Sequence, residues 1–257
     1  MTEKLILPQV FEASRTIFEQ SVQPYLRITL EAGINISRTD SKVFGAPYFP
    51  KNMPFPTNEN GTPLKLLAQL NFEQMPQFSH FPTTGILQFF IDPYDDVYGM
   101  DFDDGTSQQN FRVIYHETIE SAIDEAELPT YDDDELMMPG TTEAKMHFAE
   151  ATQPVSLVDF RAEQLPEDVR EEYDSWDEYI ETYFKQPLHQ IGGYSYFTQT
   201  DPREYDYKNY TTMLLQIDSD MGLDLIWGDV GIANFFITEE QLKARDFSSV
   251  LYNWDCG

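Results

Sequence analysis

Cysteine is almost absent from this chain: Cys256 is the single one in 257 residues, so neither an internal disulfide nor a multi-cysteine metal site can form. Basic residues are scarce too. Lys and Arg number 16 against 45 Asp and Glu, for a net charge of -29. That balance argues against a nucleic-acid backbone or an anionic membrane as partner and leaves a basic protein or cations, with plain solubility as the ordinary reading. Long hydrophobic runs are missing. No stretch approaches the roughly 18 apolar residues of a membrane-spanning helix, and MTEKLILPQVFEASRTIF lacks the basic flank and continuous apolar centre of a signal peptide. A reducing, cytoplasmic setting is therefore expected. The four histidines, His80, His116, His147 and His189, show no HExxH spacing, and neither a nucleophile elbow nor a GxxxxGK phosphate loop occurs. This leans away from an enzyme. No catalytic residue, metal or cofactor is assigned.

What is present is enough for a core, with 41% hydrophobic and 14% aromatic residues, far from the composition of a disordered acidic chain. Residues 5–23 carry apolar side chains at three- and four-residue spacing, which predicts a helix closed by Pro24, and YLRITL then alternates as a strand. The prolines of KNMPFPTNENGTP exclude helix there. Leu64–Leu70 and Ile86–Ile91 are near-continuous apolar runs of strand length, interrupted by Gln69 and Gln88, which if buried must be hydrogen-bonded. DPYDDVYGMDFDD holds six acids but lacks the Gly and Glu positions of a calcium loop, and FRVIYHE after it alternates as a strand. Residues 118–150 read as a mobile acidic insertion, 155–160 as a strand, and LPEDVREEYDSWDEYIETYF as an amphipathic helix. Thr238 and Gln241 form a capping box at the start of a short helix.

Three blocks of the first half return in order in the second. SKVFGAPYF echoes in HQIGGYSYF with Gly45 and Gly193 at an offset of 148; LLAQLN echoes in TMLLQID with Gln69 and Gln216 at 147; GILQFFI echoes in GIANFFI at 146. The expectation is a single domain of two repeats, about 25–117 and 154–247, with an α+β fold: internally duplicated β-rich halves sharing one core, with flanking helices. Any site is then sought where the two copies meet.

The same residues carry a resemblance to the YwqG family of bacterial proteins of unknown function: FGAPYFP, LLAQLNFEQMP, FPTTGILQFFI, DDVYG, IGGYSYFTQTDPRE, LLQIDSD and IWGDVGIANFFI. The resemblance spans nearly the whole chain. It implies a compact α+β fold and brings no established activity with it.

The binding candidates are Gln69 and Gln216 within the apolar strand runs and, in loops beside core strands, Asp96 and Tyr98 of DDVYG, Asp201 and Arg203 of TDPRE, and Trp227 and Asp229 of IWGDVG. Arg203 either clamps an anion or pairs with an acid such as Asp229 to lock a loop. The leading function is a non-enzymatic module whose acidic surface binds a basic protein partner, with an immunity- or antitoxin-like role as its concrete version. The alternative is an enzymatic or small-molecule site at the junction of the halves. A cation at the acidic loops is a third.

Overall fold

Ten strands share one antiparallel sheet in the computed structural model, which describes residues 4–257. They are β1 (Gln23–Ala32), β2 (Lys42–Val43), β3 (Lys65–Asn71), β4 (Ile86–Ile91), β5 (Phe111–His116), β6 (Ala144–Gln153), β7 (Gln190–Gly192), β8 (Thr212–Asp218), β9 (Ile232–Ile237) and β10 (Leu251–Asp255). Their order across the sheet is β10-β9-β8-β7-β1-β6-β2-β3-β4-β5. β1 and β6 pair over ten residues, from Gln23 opposite Gln153 to Ala32 opposite Ala144, and so fuse the two flanking strand sets into one surface. The register shifts between Leu66 and Ala68 in β3 and between Met213 and Leu215 in β8. Such bulges add local twist and help a sheet to curl.

The curl explains the continuous apolar runs. Leu87, Phe89 and Ile91 of β4 and Ala233, Phe235 and Ile237 of β9 point into one shared core. There Phe89 and Phe235 meet with ring centroids 4.8 Å apart, although their strands lie near opposite ends of the sheet. On the other face, Phe90 packs with Phe49, Leu64 and Leu66, and Phe236 packs with Phe197, Tyr210 and Met213. Both faces of β4 and β9 are thus covered, which removes the polar alternation of a half-solvated strand. The edge strand β10 is met by the acidic loop, where Tyr252 N donates to Gly105 O at 2.9 Å, shielding a backbone edge that could recruit another chain.

The expected α+β fold of duplicated halves with flanking helices does not hold. The chain is mostly this one antiparallel sheet, curled into a half-barrel, and only about 20% of it is helical. The helices are short: α1 (Arg15–Ser21), α2 (Glu167–Arg170), α3 (Trp176–Tyr183) and α4 (Glu239–Ala244). The stripe at residues 5–23 is realised as a tight 3-10 turn, Gln9–Ser14, leading into α1, between Pro8 and the start of β1. The stripe at 167–183 is split by a second such turn, Tyr173–Ser175. Residues 155–160 are not a strand; they lead into a 3-10 turn, Phe160–Gln164. The largest difference lies in the segment read as an acidic insertion, whose end, from Ala144, is the long central strand β6. Its outer positions, such as Lys145 and His147, are polar, and Glu150 stands exposed on the inner face beyond Phe148, so its apolar alternation was faint. The capping box is present, with Thr238 accepting from Gln241 N.

No helix among the described residues is long and apolar enough to cross a membrane.

Candidate functional site

Gln69 and Gln216 each bracket a loop within their own half. Gln69 is fully buried; its Oε1 accepts from Tyr48 N at 3.0 Å and from Gln88 Nε2 at 2.7 Å, and its Nε2 donates to Arg38 O and Asp40 O at 2.9 and 2.8 Å. Gln216 Oε1 accepts from Tyr196 N at 2.9 Å while its Nε2 donates to Leu188 O at 2.7 Å. The two glutamines do not converge on a junction. They fix the Gly-aromatic loops that carry the sequence echo, and Gln69 has no hydrogen-bonding capacity left for a ligand. The first loop is held further by Arg38, whose Nε and Nη2 donate to Pro47 O, and by the buried Lys42, whose Nζ donates to Ala46 O at 2.6 Å and pairs with Glu143 at 2.8 Å. Gly45 in this loop has φ +71, and a side chain there would collide with Glu143.

Gln88 continues the network to His116, whose Nε2 lies 2.8 Å from Gln88 Oε1. Since Gln88 Nε2 already donates to Tyr48 O, Oε1 is the acceptor and the imidazole Nε2 carries the proton. Burial pushes His116 down to about 4 from 6.5. The folded state thus holds the ring neutral, and this contribution to stability is present above 6.5 and lost as pH falls toward about 4. On this scale the loss is roughly 3 kcal/mol. Asp218 tilts the other way: burial raises its carboxyl to about 6 despite acceptance from Leu188 N and Ser219 N, so its ionisation costs stability as pH rises from 3.8 to about 6. Urea midpoints from pH 4 to 7 should therefore show a flatter acid limb in His116→Gln than in the parent; parallel profiles would refute the role of His116.

The sequence-nominated Asp201 and Arg203 do meet, but inside the protein. Both are fully buried, with Arg203 Nε 2.9 Å from Asp201 Oδ1 and Nη2 2.6 Å from Asp201 Oδ2. Arg203 does not pair with Asp229, which is exposed on another turn. Its second partner is Asp159, at 3.0 Å, a residue the sequence reading missed. Asp159 also accepts from Arg161 Nε at 2.7 Å and from Ser195 Oγ at 2.7 Å, and Ser195 Oγ accepts in turn from Arg203. Burial alone would raise the Asp159 carboxyl, but the Arg203 and Arg161 guanidiniums hold it well below the usual aspartate range. Two guanidiniums and two carboxylates thereby balance in a quartet of which Asp159, Asp201 and Arg203 are buried and Arg161 reaches the surface. The Arg203 guanidinium also lies 3.9 Å from the Phe236 ring centroid.

Above this quartet opens a cleft of about 360 Å³ lined by Leu157, Asp159, Phe160, Ala162, Glu163, Arg170, Tyr173, Trp176, Glu204 and Tyr205. Several elements build it. Glu163 comes from the 3-10 turn after Asp159, Arg170 from the end of α2, Tyr173 and Trp176 from the turn before α3 and its start, and Glu204 and Tyr205 directly follow Arg203. Tyr173 and Tyr205 are 66% and 76% exposed, unusual for rings of this size that flank a concavity.

Tyr98 and Trp227, nominated from different halves, also come together. Tyr98 stands edge-on to Trp227 at 5.3 Å and to Trp254 at 4.8 Å, and Trp254 Nε1 donates to Val97 O at 2.8 Å. This aromatic cluster ties the loop after β4 to the turn before β9. Trp227 is fully buried, so the cluster is packing. Asp96 is exposed and its neighbours cap turns: Asp95 accepts from Val97 N and Gly99 N, and Asp101 from Asp103 N and Asp104 N. Such bonds give these acids a part in shaping the turns.

Fold and cleft together define a single-sheet, curled antiparallel β protein with an acidic and aromatic cleft on its outer face. The chain belongs to the family of the domain of unknown function DUF1963, whose model matches residues 41–256. No curated protein matches the chain. The residues that sequence reasoning missed fall in separate segments: Asp159, Arg161 and Glu163 sit together at the turn Phe160–Gln164, while Ser195 and Tyr205 lie well downstream, beyond α3. The scarcity of arginine was the signal available, and it pointed to Arg203 alone.

Proposed function

We propose that the protein is a cytoplasmic binding module that recognises a basic protein segment through the cleft beside the Asp159–Arg203 quartet. The observation that carries this is the pairing of two exposed tyrosines, Tyr173 and Tyr205, with the exposed carboxylates Glu163 and Glu204 around one concavity. Aromatic faces and carboxylates together suit a guanidinium or ammonium, which gains from the ring quadrupole and from the charge at once. The net charge of -29 supplies long-range steering toward a basic partner. The neutral quartet beneath holds the Glu204–Tyr205 side of the cleft in place, so little ordering remains for binding. An acidic module that neutralises a basic partner, as an immunity-like protein does, is the concrete form of this reading. Within its family, the motifs FGAPYFP and IGGYSYFTQTDPRE support placing the chain among YwqG-like proteins.

Calorimetric titration with an arginine-rich decapeptide tests the proposal. Saturable binding is expected to weaken about tenfold in the double variant Tyr173→Ala, Tyr205→Ala, as for central aromatic anchors, and to fall as salt rises. If the tyrosine pair changes nothing and salt alone matters, the attraction is diffuse and the cleft is not the site. Absence of binding at low salt would remove the basic-partner reading itself.

A further inference from the structure

A second cavity, of about 270 Å³, lies on the outer face of the first half, under the Gly45–Pro47 loop. Its walls include Phe55, Leu66, Leu128 and Tyr131, and Lys65 at the start of β3 supplies its cation. The Lys65 Nζ sits 4.2 Å from the Tyr131 ring centroid, and Tyr131 is anchored by its hydroxyl, which donates to Leu64 O at 2.7 Å. Among the described residues no carboxylate lies within 4.0 Å of that ammonium. In a chain with 45 acids and 16 bases, a half-buried lysine without a carboxylate partner calls for an explanation. Burial lowers its proton affinity, and the pull of Asp133 acts against this.

The second half shows what such a place looks like when filled. Phe55 and Arg203 are related by the same offset of 148 as Gly45 and Gly193. Phe55 packs on Phe49 and Phe90, at 4.8 and 5.6 Å; Arg203 lies over Phe197 and Phe236, at 5.8 and 3.9 Å. On that side the cation is neutralised by the chain's own Asp159 and Asp201. On this side the cation faces an open cavity.

We propose that this cavity binds a small organic carboxylate with an apolar body, its carboxylate paired with Lys65 and its body against Phe55, Leu66 and Leu128. A phosphate dianion fits less well, because one ammonium balances a single charge and Glu125 and Asp133 stand nearby. The site is separate from the cleft of the second half, so the two proposals fail independently.

The test titrates 3-phenylpropionate and its neutral amide by ligand-observed NMR and calorimetry. Saturable binding of the carboxylate is expected, at least about tenfold tighter than the amide, the scale of one charge-assisted hydrogen bond. Lys65→Met should abolish the preference for the carboxylate while leaving the melting temperature within a few degrees. Leu128→Trp, which fills the cavity from its half-exposed wall, should remove binding of both probes and serves if Lys65→Met does not fold. Equal affinity for carboxylate and amide, unchanged binding in Lys65→Met or in Leu128→Trp, or no saturation below about 10 mM would each overturn the proposal.

Discussion

Replacing Arg203 with alanine is expected to lower stability by about 3–5 kcal/mol, the range for breaking a buried ion pair from one side. The loss comes less from the missing attraction than from what is left behind. Asp201 would keep two backbone donors, Arg203 N at 2.9 Å and Phe160 N at 2.9 Å, and Asp159 would keep Arg161, but two buried carboxylates would then share a single guanidinium. Urea denaturation followed by circular dichroism measures the effect. The double variant Asp201→Asn, Arg203→Ala should recover part of the loss, because it restores one charge of each sign. The pH dependence follows from the sign of the shift. Asp159 is held below its ordinary value of 3.8 in the folded state, so its contribution is present above that pH and is lost as pH falls through the folded value. The deficit of Arg203→Ala should therefore be largest near neutrality and shrink toward acid. A deficit below about 1 kcal/mol, the size of an exposed pair, would show that the quartet is not closed from water.

Phe235→Ala is expected to cost about 3–5 kcal/mol as well, through cavity formation. The ring is fully buried and stacked on Tyr252 at 4.5 Å and 5°, with Phe89 at 4.8 Å and Phe111 at 6.4 Å. Phe89 and Phe111 belong to β4 and β5 at one end of the sheet, Phe235 and Tyr252 to β9 and β10 at the other. The substitution thus removes the central ring among the contacts that span the curl, beside Phe111 against Tyr252 at 5.1 Å, where surrounding strands cannot collapse without opening the sheet. Phe235→Leu, which keeps most of the volume, should cost less than about 1.5 kcal/mol. If both variants lose the same small amount, the two ends of the sheet do not depend on each other for stability.

These two expectations rest on tertiary facts that the chain announced unevenly. Leu87, Phe89 and Ile91 could be read as a doubly buried strand because each strand element writes its burial locally, residue by residue. The brackets of Gln69 and Gln216 were visible for the same reason: a glutamine inside an apolar run must find partners, and the nearest are the loops beside it. Strand β6 was not legible, because its outer face is polar and its pairing with β1 spans more than a hundred residues. The quartet was half legible. Arg203 stood out by scarcity, but its partner Asp159 is set by the sheet's curl and the packing of the turn at Phe160, which no local pattern encodes.

By itself, then, the sequence determined the charge of -29, the strand-forming runs of β3 and β4 with their echoes in β8 and β9, and the capping box at Thr238. These follow from residue type and short spacing, where backbone preference and side-chain polarity act directly. Tertiary structure alone decided that the strands form one curled sheet instead of an α+β pair of halves, that Arg203 is neutralised from within while Lys65 is not, and that Tyr173 and Tyr205 flank one cleft. Those outcomes depend on which distant surfaces exclude water together, and burial of that kind is a property of the assembled chain.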